Sequence, residues 1–288
     1  MHRFTASTLI FLLALQCPST SFSSEGQETQ KDVVIERGWK IFPIDLIAAI
    51  LSLPDRLLLW NWKFKNRNVS DATLNELRNY METYELYDVK VRVNKAAFID
   101  EYRRLCTNKK MHWFVRFFPG FFVTTISLIF ERLTAGDYYN PFNDTLHLFS
   151  DLTPVALHEA GHARDFDRHD SRGFYALMRA VPGMDLIQED EATTSAINYL
   201  KIKRNQHQEI ESYKILYPAF STYIGGYFNY ILPINLGSLG AVLFGHWIGR
   251  KKAKETKDRY FRASEHIKAQ DHLIQRQQQD THTSDSQS

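Results

Sequence analysis

The stretch PVALHEAGHARDFD, residues 154–167, carries two histidines, His158 and His162, around the glutamate Glu159 in the order H-E-x-x-H. On a helix, residues four positions apart lie on the same face, about one turn from each other. Both imidazoles can therefore bind one zinc ion, and Glu159 leans towards the place of a water molecule on that ion. Gly161 permits close approach of another segment. The pattern predicts a helix with a zinc site, whereas the simpler interpretation is a surface helix with two solvated histidines.

A zinc site that keeps one position open needs a third protein ligand. The segment QEDEATTSA, residues 188–196, offers three adjacent carboxylates. Glu189 shares a helical face with the small residues Ala192 and Ala196, which would let this helix pack tightly against the HExxH helix. Glu189 is therefore the predicted third ligand, and Glu191 is the alternative third ligand.

The composition is that of a chain that can fold. Its 288 residues suffice for one sizeable core or two small ones, and 44% of them are apolar. The 35 basic and 33 acidic residues nearly balance, which gives no case for binding nucleic acid. The two cysteines, Cys17 and Cys106, cannot build a disulfide framework, and the sequence has no CxxC metal site.

The N-terminus has the three parts of a secretory signal peptide. A short basic start, His2 and Arg3, precedes an apolar run over residues 5–15 and a stretch of small residues over 18–24. Residues 1–23 are therefore predicted to be a signal peptide. The protein is predicted to be exported, to the bacterial periplasmic side or into the secretory pathway, and to be membrane-associated. An uncleaved anchor helix is the alternative interpretation of the leader.

Alternating apolar residues predict two strands, in YDVKVRV (residues 87–93) and in TLHLF (residues 145–149). Much of the remaining chain has helical periodicity, so the sequence predicts an α+β fold, mostly helical, with a small sheet. We expect an N-terminal helical region over residues 24–112, which includes the first strand. The core, with the HExxH helix and the glutamate-bearing helix, is expected over residues 113–205.

Two apolar blocks are interrupted by charges and prolines. Residues 41–60 contain two prolines as well as acidic and basic residues, which predicts short helices that lie on a core or on a membrane surface. In residues 113–130, Arg116 and the pair Pro119 and Gly120 leave an uninterrupted part that is predicted to be too short to cross a bilayer.

Residues 215–249 contain no Lys, Arg, Asp or Glu. This hydrophobic helical segment is long enough to be a membrane anchor, and a helix buried in a protein core is the alternative. Small residues recur at every fourth position and form a ridge suited to close helix packing: Gly237, Ala241, Gly245 and Gly249. The tail over residues 250–288 begins with Arg250, Lys251 and Lys252, which the positive-inside rule assigns to the cytosolic side. Its polar, low-complexity end is predicted to be disordered.

H-E-A-G-H at residues 158–162, followed by a helix with E-x-x-A that begins at Glu189, resembles the gluzincin metallopeptidases. The resemblance is in particular to their membrane-associated CaaX-protease and HtpX-like branch. It implies a zincin-like core that binds Zn²⁺ and acts on a peptide or protein substrate. It makes His158, His162 and Glu189 the metal ligands and Glu159 the general base.

The resemblance has one departure, since Thr193 stands where that branch has an aspartate. Asp165, one turn beyond His162, is therefore the candidate for a carboxylate that orients a ligand imidazole. In the zincin plan, the strand before the active helix, here TLHLF, forms the edge of the sheet. An extended peptide can add to such an edge as a further strand.

These observations predict a zinc-dependent hydrolase, in the first place a peptidase. The competing hypothesis is a non-catalytic, membrane-attached protein whose zinc site is structural or has lapsed from catalysis. A structural zinc site usually has a fourth protein ligand, and no Cys or His within a turn of the motif offers one. This favours an open, catalytic site, although no spacing argument selects the side chain that would stabilise the oxyanion.

Overall fold

The structure is a computed structural model that describes residues 32–134, 136–229 and 236–285. The predicted signal peptide, residues 1–23, lies outside these ranges. Within them the chain is mostly helical and has one small mixed sheet. The predicted α+β class is therefore confirmed.

The sheet has four strands: β1 Ile35–Arg37, β2 Lys90–Val93, β3 Tyr138–Asn140 and β4 Thr145–Leu148. Their order across the sheet is β1-β2-β4-β3, in which β1, β2 and β4 run parallel and β3 pairs antiparallel with β4. Alternation in the sequence predicts β2 and β4 correctly. It misses β1 and β3, because three residues are too few to show an alternation.

The strand that precedes the HExxH helix, β4, is not the edge of the sheet. His147 in β4 is in register with Arg92 of β2 on one side and with Tyr138 of β3 on the other. The connection between β3 and β4 is tight, with Asp144 at a positive φ of 57°, so the two strands pair as a hairpin and β3 takes the edge. The edge prediction for β4 is therefore wrong.

The helices formed by the described residues are α1 Phe42–Leu51, α2 Leu53–Leu58, α3 Asp71–Thr83, α4 Phe98–Thr107, α5 Trp113–Val115, α6 Phe121–Thr134, α7 Thr153–Asp167, α8 Arg172–Met178, α9 Met184–Ile202, α10 Gln206–Asn229 and α11 Leu236–Asp285. The HExxH motif lies on α7, and Glu189 lies on α9. The main core packs between one face of the sheet and α3, α7 and α9, and includes Val91 and Leu146. On the opposite face, buried Arg92 pairs with Glu101 of α4, Nε to Oε1 at 2.9 Å.

A π-helical turn, Arg116–Gly120, joins α5 to α6. Because this turn takes up Pro119 without ending the helix, Trp113–Phe130 is one continuous helical stretch. Within the described part of the chain it is the one stretch with the length and apolar composition of a membrane-crossing helix. The prediction that this block is too short is therefore wrong.

The charge-free segment 215–249 does not form a single helix. It is divided between α10 and α11, which pack against each other as an antiparallel pair, and residues 230–235 between them lie outside the described ranges. A Cβ at Gly249 would lie 2.3 Å from the carbonyl oxygen of Tyr213, and one at Gly245 would lie 2.3 Å from Ser221 Oγ. The small-residue ridge thus provides the predicted close helix packing, here between the two halves of the segment.

The polar tail, predicted to be disordered, is helical as far as Asp285, where α11 ends. Lys, Arg, Glu, Gln and Ala are frequent in this part of the sequence, and all of them are good helix formers. Low hydrophobicity predicts that the tail lacks a packed core, but it does not exclude a helix that continues from a packed one. From residue 261 to residue 275 the side chains of this helix are exposed, and the disorder of the tail stays a prediction.

Candidate metal centre

The helix α7 holds His158, Glu159 and His162 inside the protein. Pro154 lies in its first turn and suits the start of a helix, because proline has no N–H group to leave unpaired there. The helix packs against α3, α9 and α10, and 12 of its 15 residues are buried. The interpretation as a surface helix with solvated histidines is therefore wrong.

Gly161 sets the distance between α7 and α9. A Cβ atom at this position would lie 2.6 Å from the carbonyl oxygen of Ala192. Only a residue without a side chain permits this spacing, so the predicted close approach at Gly161 is confirmed. The approach places the carboxylate of α9 beside the imidazoles of α7.

The side chains of His158, His162 and Glu189 meet in one cluster. His158 Nε2 lies 3.1 Å from Glu189 Oε2, and His162 Nε2 lies 3.4 Å from Glu189 Oε1. The three ligand atoms all lie within 4.8 Å of one another, so they could hold a metal ion. No other cluster of this kind is found among the described residues. Two imidazoles and one carboxylate form a donor set that suits zinc.

Glu191 and Asp165 lie away from this cluster. Glu191 is exposed, because two positions turn a helix by roughly 200° and carry it to the other side of α9 from Glu189. Asp165 accepts a hydrogen bond from the Tyr175 hydroxyl, with the oxygens 2.6 Å apart. The orienting contact predicted for Asp165 is made by Thr193 instead, whose Oγ1 lies 3.2 Å from His158 Nδ1. The residue that departs from the family pattern therefore holds a predicted ligand.

Two residues that the sequence does not single out complete the surroundings of the cluster. Arg179 Nη2 donates to Glu189 Oε1 at 2.5 Å, and its Nη1 donates to Gln188 Oε1 at 3.2 Å. Tyr223 of α10 lines the same cavity as Glu159 and Glu189, and its hydroxyl lies within hydrogen-bonding reach of the Glu189 carboxylate. Burial, reinforced by the charge of Glu189, raises the pKa of the Tyr223 hydroxyl. This hydroxyl therefore keeps its proton at neutral pH and can donate a hydrogen bond.

The two carboxyl groups of the site have opposite pKa shifts. Burial by itself would raise the pKa of Glu189, but the imidazoles of His162 and His158 lower it overall. Burial raises the pKa of Glu159 to about 8, against the attraction of His158 and with support from the charges of Glu189 and Asp137. Glu189 is thus suited to bind a cation, and Glu159 to exchange a proton near neutral pH.

A cavity of about 240 Å³ opens at the cluster. His158, Glu159 and Glu189 line one side of it. The other lining residues come from α2, from the segment that follows α2, from the residues before β3 and from α10, and they include Leu58, Asp137 and Tyr223. A second cavity, of about 650 Å³, adjoins it and shares Thr222 and Tyr223 with the first. The cluster therefore faces a space that can hold water and part of a substrate.

Comparison of the chain with family models, with curated proteins and with solved structures finds no match. The resemblance to the gluzincins therefore rests on the HExxH residues of α7 and on the E-x-x-A residues of α9 that begin at Glu189.

Proposed function

We propose that the protein is a zinc-dependent hydrolase, in the first place a peptidase, whose zinc ion is held by His158, His162 and Glu189. The observation that carries the proposal is that two of these ligands and Glu159 line one cavity. A structural zinc site is normally closed by a fourth protein ligand. Three ligands beside a cavity instead leave room for water and a substrate.

Zinc in such a site supplies Lewis acidity, which polarises a carbonyl group and makes a water molecule acidic near neutral pH. Glu159 lines the same cavity, and one of its carboxylate oxygens accepts a proton from the attacking water. Glu159 later delivers this proton to the leaving amine. The hydroxyl group of Tyr223 donates a hydrogen bond to the oxygen of the attacked carbonyl, where negative charge develops. Arg179 and Thr193 keep Glu189 and His158 in their binding orientations.

The sheet departs from the zincin plan given above, because β3 and not β4 lies at its edge, and the proposal of a zincin-like core rests on α7 and α9. The antiparallel strand β3 lies at the edge next to β4, and β4 leads into α7. We place an extended peptide substrate along β3, because an edge strand offers backbone groups for a further strand. The predicted signal peptide, residues 1–23, assigns this activity to the outside of the cytosol.

The test is hydrolysis of a mixture of peptides by the purified, zinc-loaded protein, followed by mass spectrometry. We expect cleavage by the wild type and a loss of several orders of magnitude in Glu159→Gln, which retains zinc because Glu159 is not a ligand. Glu191→Gln is the matched control, since its carboxylate is exposed on α9, and it should cleave like the wild type.

Two outcomes would contradict the proposal. Cleavage by Glu159→Gln at the wild-type rate would rule out the role of Glu159 in moving the proton. Stoichiometric zinc without any cleavage by the wild type would favour the competing hypothesis, a metal site that joins α7 to α9 without catalysis.

A further inference from the structure

All five tryptophans of the chain lie at the surface. Their exposed fractions range from 53% to 80%, whereas tryptophan is on average a highly buried residue. They are Trp39, Trp60, Trp62, Trp113 and Trp247. An indole ring combines an apolar body with one N–H donor, and it is enriched where a membrane meets water. The exposure of every tryptophan therefore needs a common explanation.

Four of these tryptophans flank apolar helices. Trp39 precedes α1, Trp60 and Trp62 follow α2, and Trp113 begins α5. Helices α1 and α6 pack against each other, so their exposed sides are neighbours. The apolar face is defined here by six exposed residues of α1, the π-helical turn and α6: Phe42, Leu46, Ile50, Phe118, Phe122 and Ile126.

The residues Phe118, Phe122 and Ile126 recur at every fourth position and so form one stripe along the helix. The helix α6 is bound to the protein opposite this stripe, at Thr124, and along its flank, at Thr125. Tyr102 Oη lies 2.7 Å from Thr125 Oγ1, and Asn140 Nδ2 donates to Thr124 Oγ1 at 3.3 Å. A helix fixed in this way along one side cannot be surrounded by lipid. It can lie in the plane of a membrane surface with its free stripe among the acyl chains.

Basic side chains accompany the tryptophans. The Arg250 guanidinium lies over the Trp60 ring, 4.4 Å from its centroid, and Lys251 Nζ lies 5.9 Å from the centroid of Trp247. Lys40 and Lys63 directly follow Trp39 and Trp62 in the sequence. Cations beside interfacial indole rings complement the anionic headgroups of phospholipids.

The basic part of α11 and the helix α2 are joined directly. The His246 ring stacks on Trp60 with centroids 3.9 Å apart, and His246 Nε2 lies 2.9 Å from the carbonyl oxygen of Leu58. This contact fixes the cations of α11 beside the end of α2. The charge complementarity is thus built into the packing of the helices.

We propose that the apolar face, together with the exposed tryptophans and the cations beside them, binds the surface of an anionic phospholipid bilayer, with α6 lying in the plane of the membrane. A second copy of the chain could cover the apolar side chains, but it would not account for the cations beside the tryptophans. The proposal concerns a surface separate from the metal ligands, and its test requires no catalytic activity.

The test is flotation of the full chain with vesicles, either of phosphatidylcholine mixed with phosphatidylserine or of phosphatidylcholine alone. We expect binding to both, tighter to the anionic vesicles, with a blue shift of the tryptophan fluorescence. Phe118→Ser and Phe122→Ser should each weaken binding about tenfold or more, the change that corresponds to lost burial of one phenyl ring. Lys251→Glu should reduce the preference for anionic vesicles.

The control is Ile202→Ser, which removes an even more exposed apolar side chain at the end of α9, outside the apolar face. It should bind vesicles like the wild type, and circular dichroism should show that all variants are folded. Equal binding by Phe118→Ser, Phe122→Ser and Ile202→Ser would overturn the proposal. This is also the result expected if the N-terminal leader alone binds lipid. A wild type that stays in solution as a dimer and becomes monomeric in Phe118→Ser would also overturn it, because the face would then bind a second copy.

Discussion

The substitution Gly161→Ala tests whether the contact between α7 and α9 determines metal binding. The new Cβ would lie 2.6 Å from the carbonyl oxygen of Ala192. The carbonyl oxygen belongs to the backbone and the new Cβ is bonded directly to a backbone atom, so neither atom can move aside alone. The two helices must therefore move apart by about 0.8 Å to reach an ordinary contact. Such overpacking costs about 1–3 kcal/mol, and the higher helix propensity of alanine offsets roughly 1 kcal/mol of it.

The same movement separates Glu189 on α9 from His158 and His162 on α7. Metal–ligand distances tolerate only about 0.2 Å of deviation, so a shift of this size should weaken zinc binding roughly ten- to hundredfold. Competition with a chromophoric chelator measures the affinity, and thermal or chemical unfolding of the metal-free protein measures the stability.

Gly240→Ala is the matched control, because no atom lies within 4 Å of a Cβ at this position in α11. It has the same gain in helix propensity without the collision, so it should stabilise the protein by up to about 1 kcal/mol and leave zinc affinity unchanged. The unfolding free energies of the two variants should therefore differ by about 1–3 kcal/mol. If Gly161→Ala matches Gly240→Ala in both stability and zinc affinity, the close contact does not position the ligands.

Two further predictions concern catalysis and the pH dependence of stability. Tyr223→Phe should keep its zinc and lose about 10²–10³ in kcat, the usual effect of removing one donor to an oxyanion. Tyr217→Phe, on the same helix but outside the cavity, is the control and should retain activity. Equal rates for both variants would exclude the role of Tyr223. Burial alone would raise the pKa of Glu36, but the lysine and arginine groups around it lower that pKa from 4.5 to about 2. Because the folded-state pKa lies below the unfolded value, this carboxylate stabilises the protein above about pH 4.5 and its contribution is lost as the pH falls towards 2. Unfolding free energies of wild type and Glu36→Gln should therefore converge over that interval at low salt, and parallel curves would show that Glu36 does not contribute.

Local helix geometry explains why the sequence predicts the ligand cluster. His158 and His162 are four residues apart, which fixes their common face in any helix. Gly161 and the small residues of α9 indicate where two helices can approach each other, and that contact selects Glu189 rather than Glu191. The strands β2 and β4 were long enough to show alternation. These features depend on spacing within one segment or on the fit of two neighbouring segments.

The features that the sequence does not predict depend on distant contacts. Arg179 reaches the cluster from the residues after α8 and Tyr223 reaches it from α10, and no spacing relates them to the motif. The segment 215–249 has the composition of one helix, but its glycines serve the packing of two. Asp165 has the right spacing to orient His162, yet α8 lies on its side of α7 and the hydroxyl of Tyr175 takes its carboxylate. Where a side chain has two possible partners, the sequence alone does not select between them, because the choice depends on how the helices pack.

The most direct test of the metal centre is the zinc content per chain of Glu189→Gln and Glu191→Gln, measured by mass spectrometry of the metal after dialysis. The two variants change the same kind of side chain two positions apart on α9, one inside the cluster and one exposed to solvent. We predict about one zinc per chain in the wild type and in Glu191→Gln, and loss of most of it in Glu189→Gln. Full zinc occupancy in Glu189→Gln, or an empty site in Glu191→Gln, would contradict the assignment of His158, His162 and Glu189 as the metal ligands.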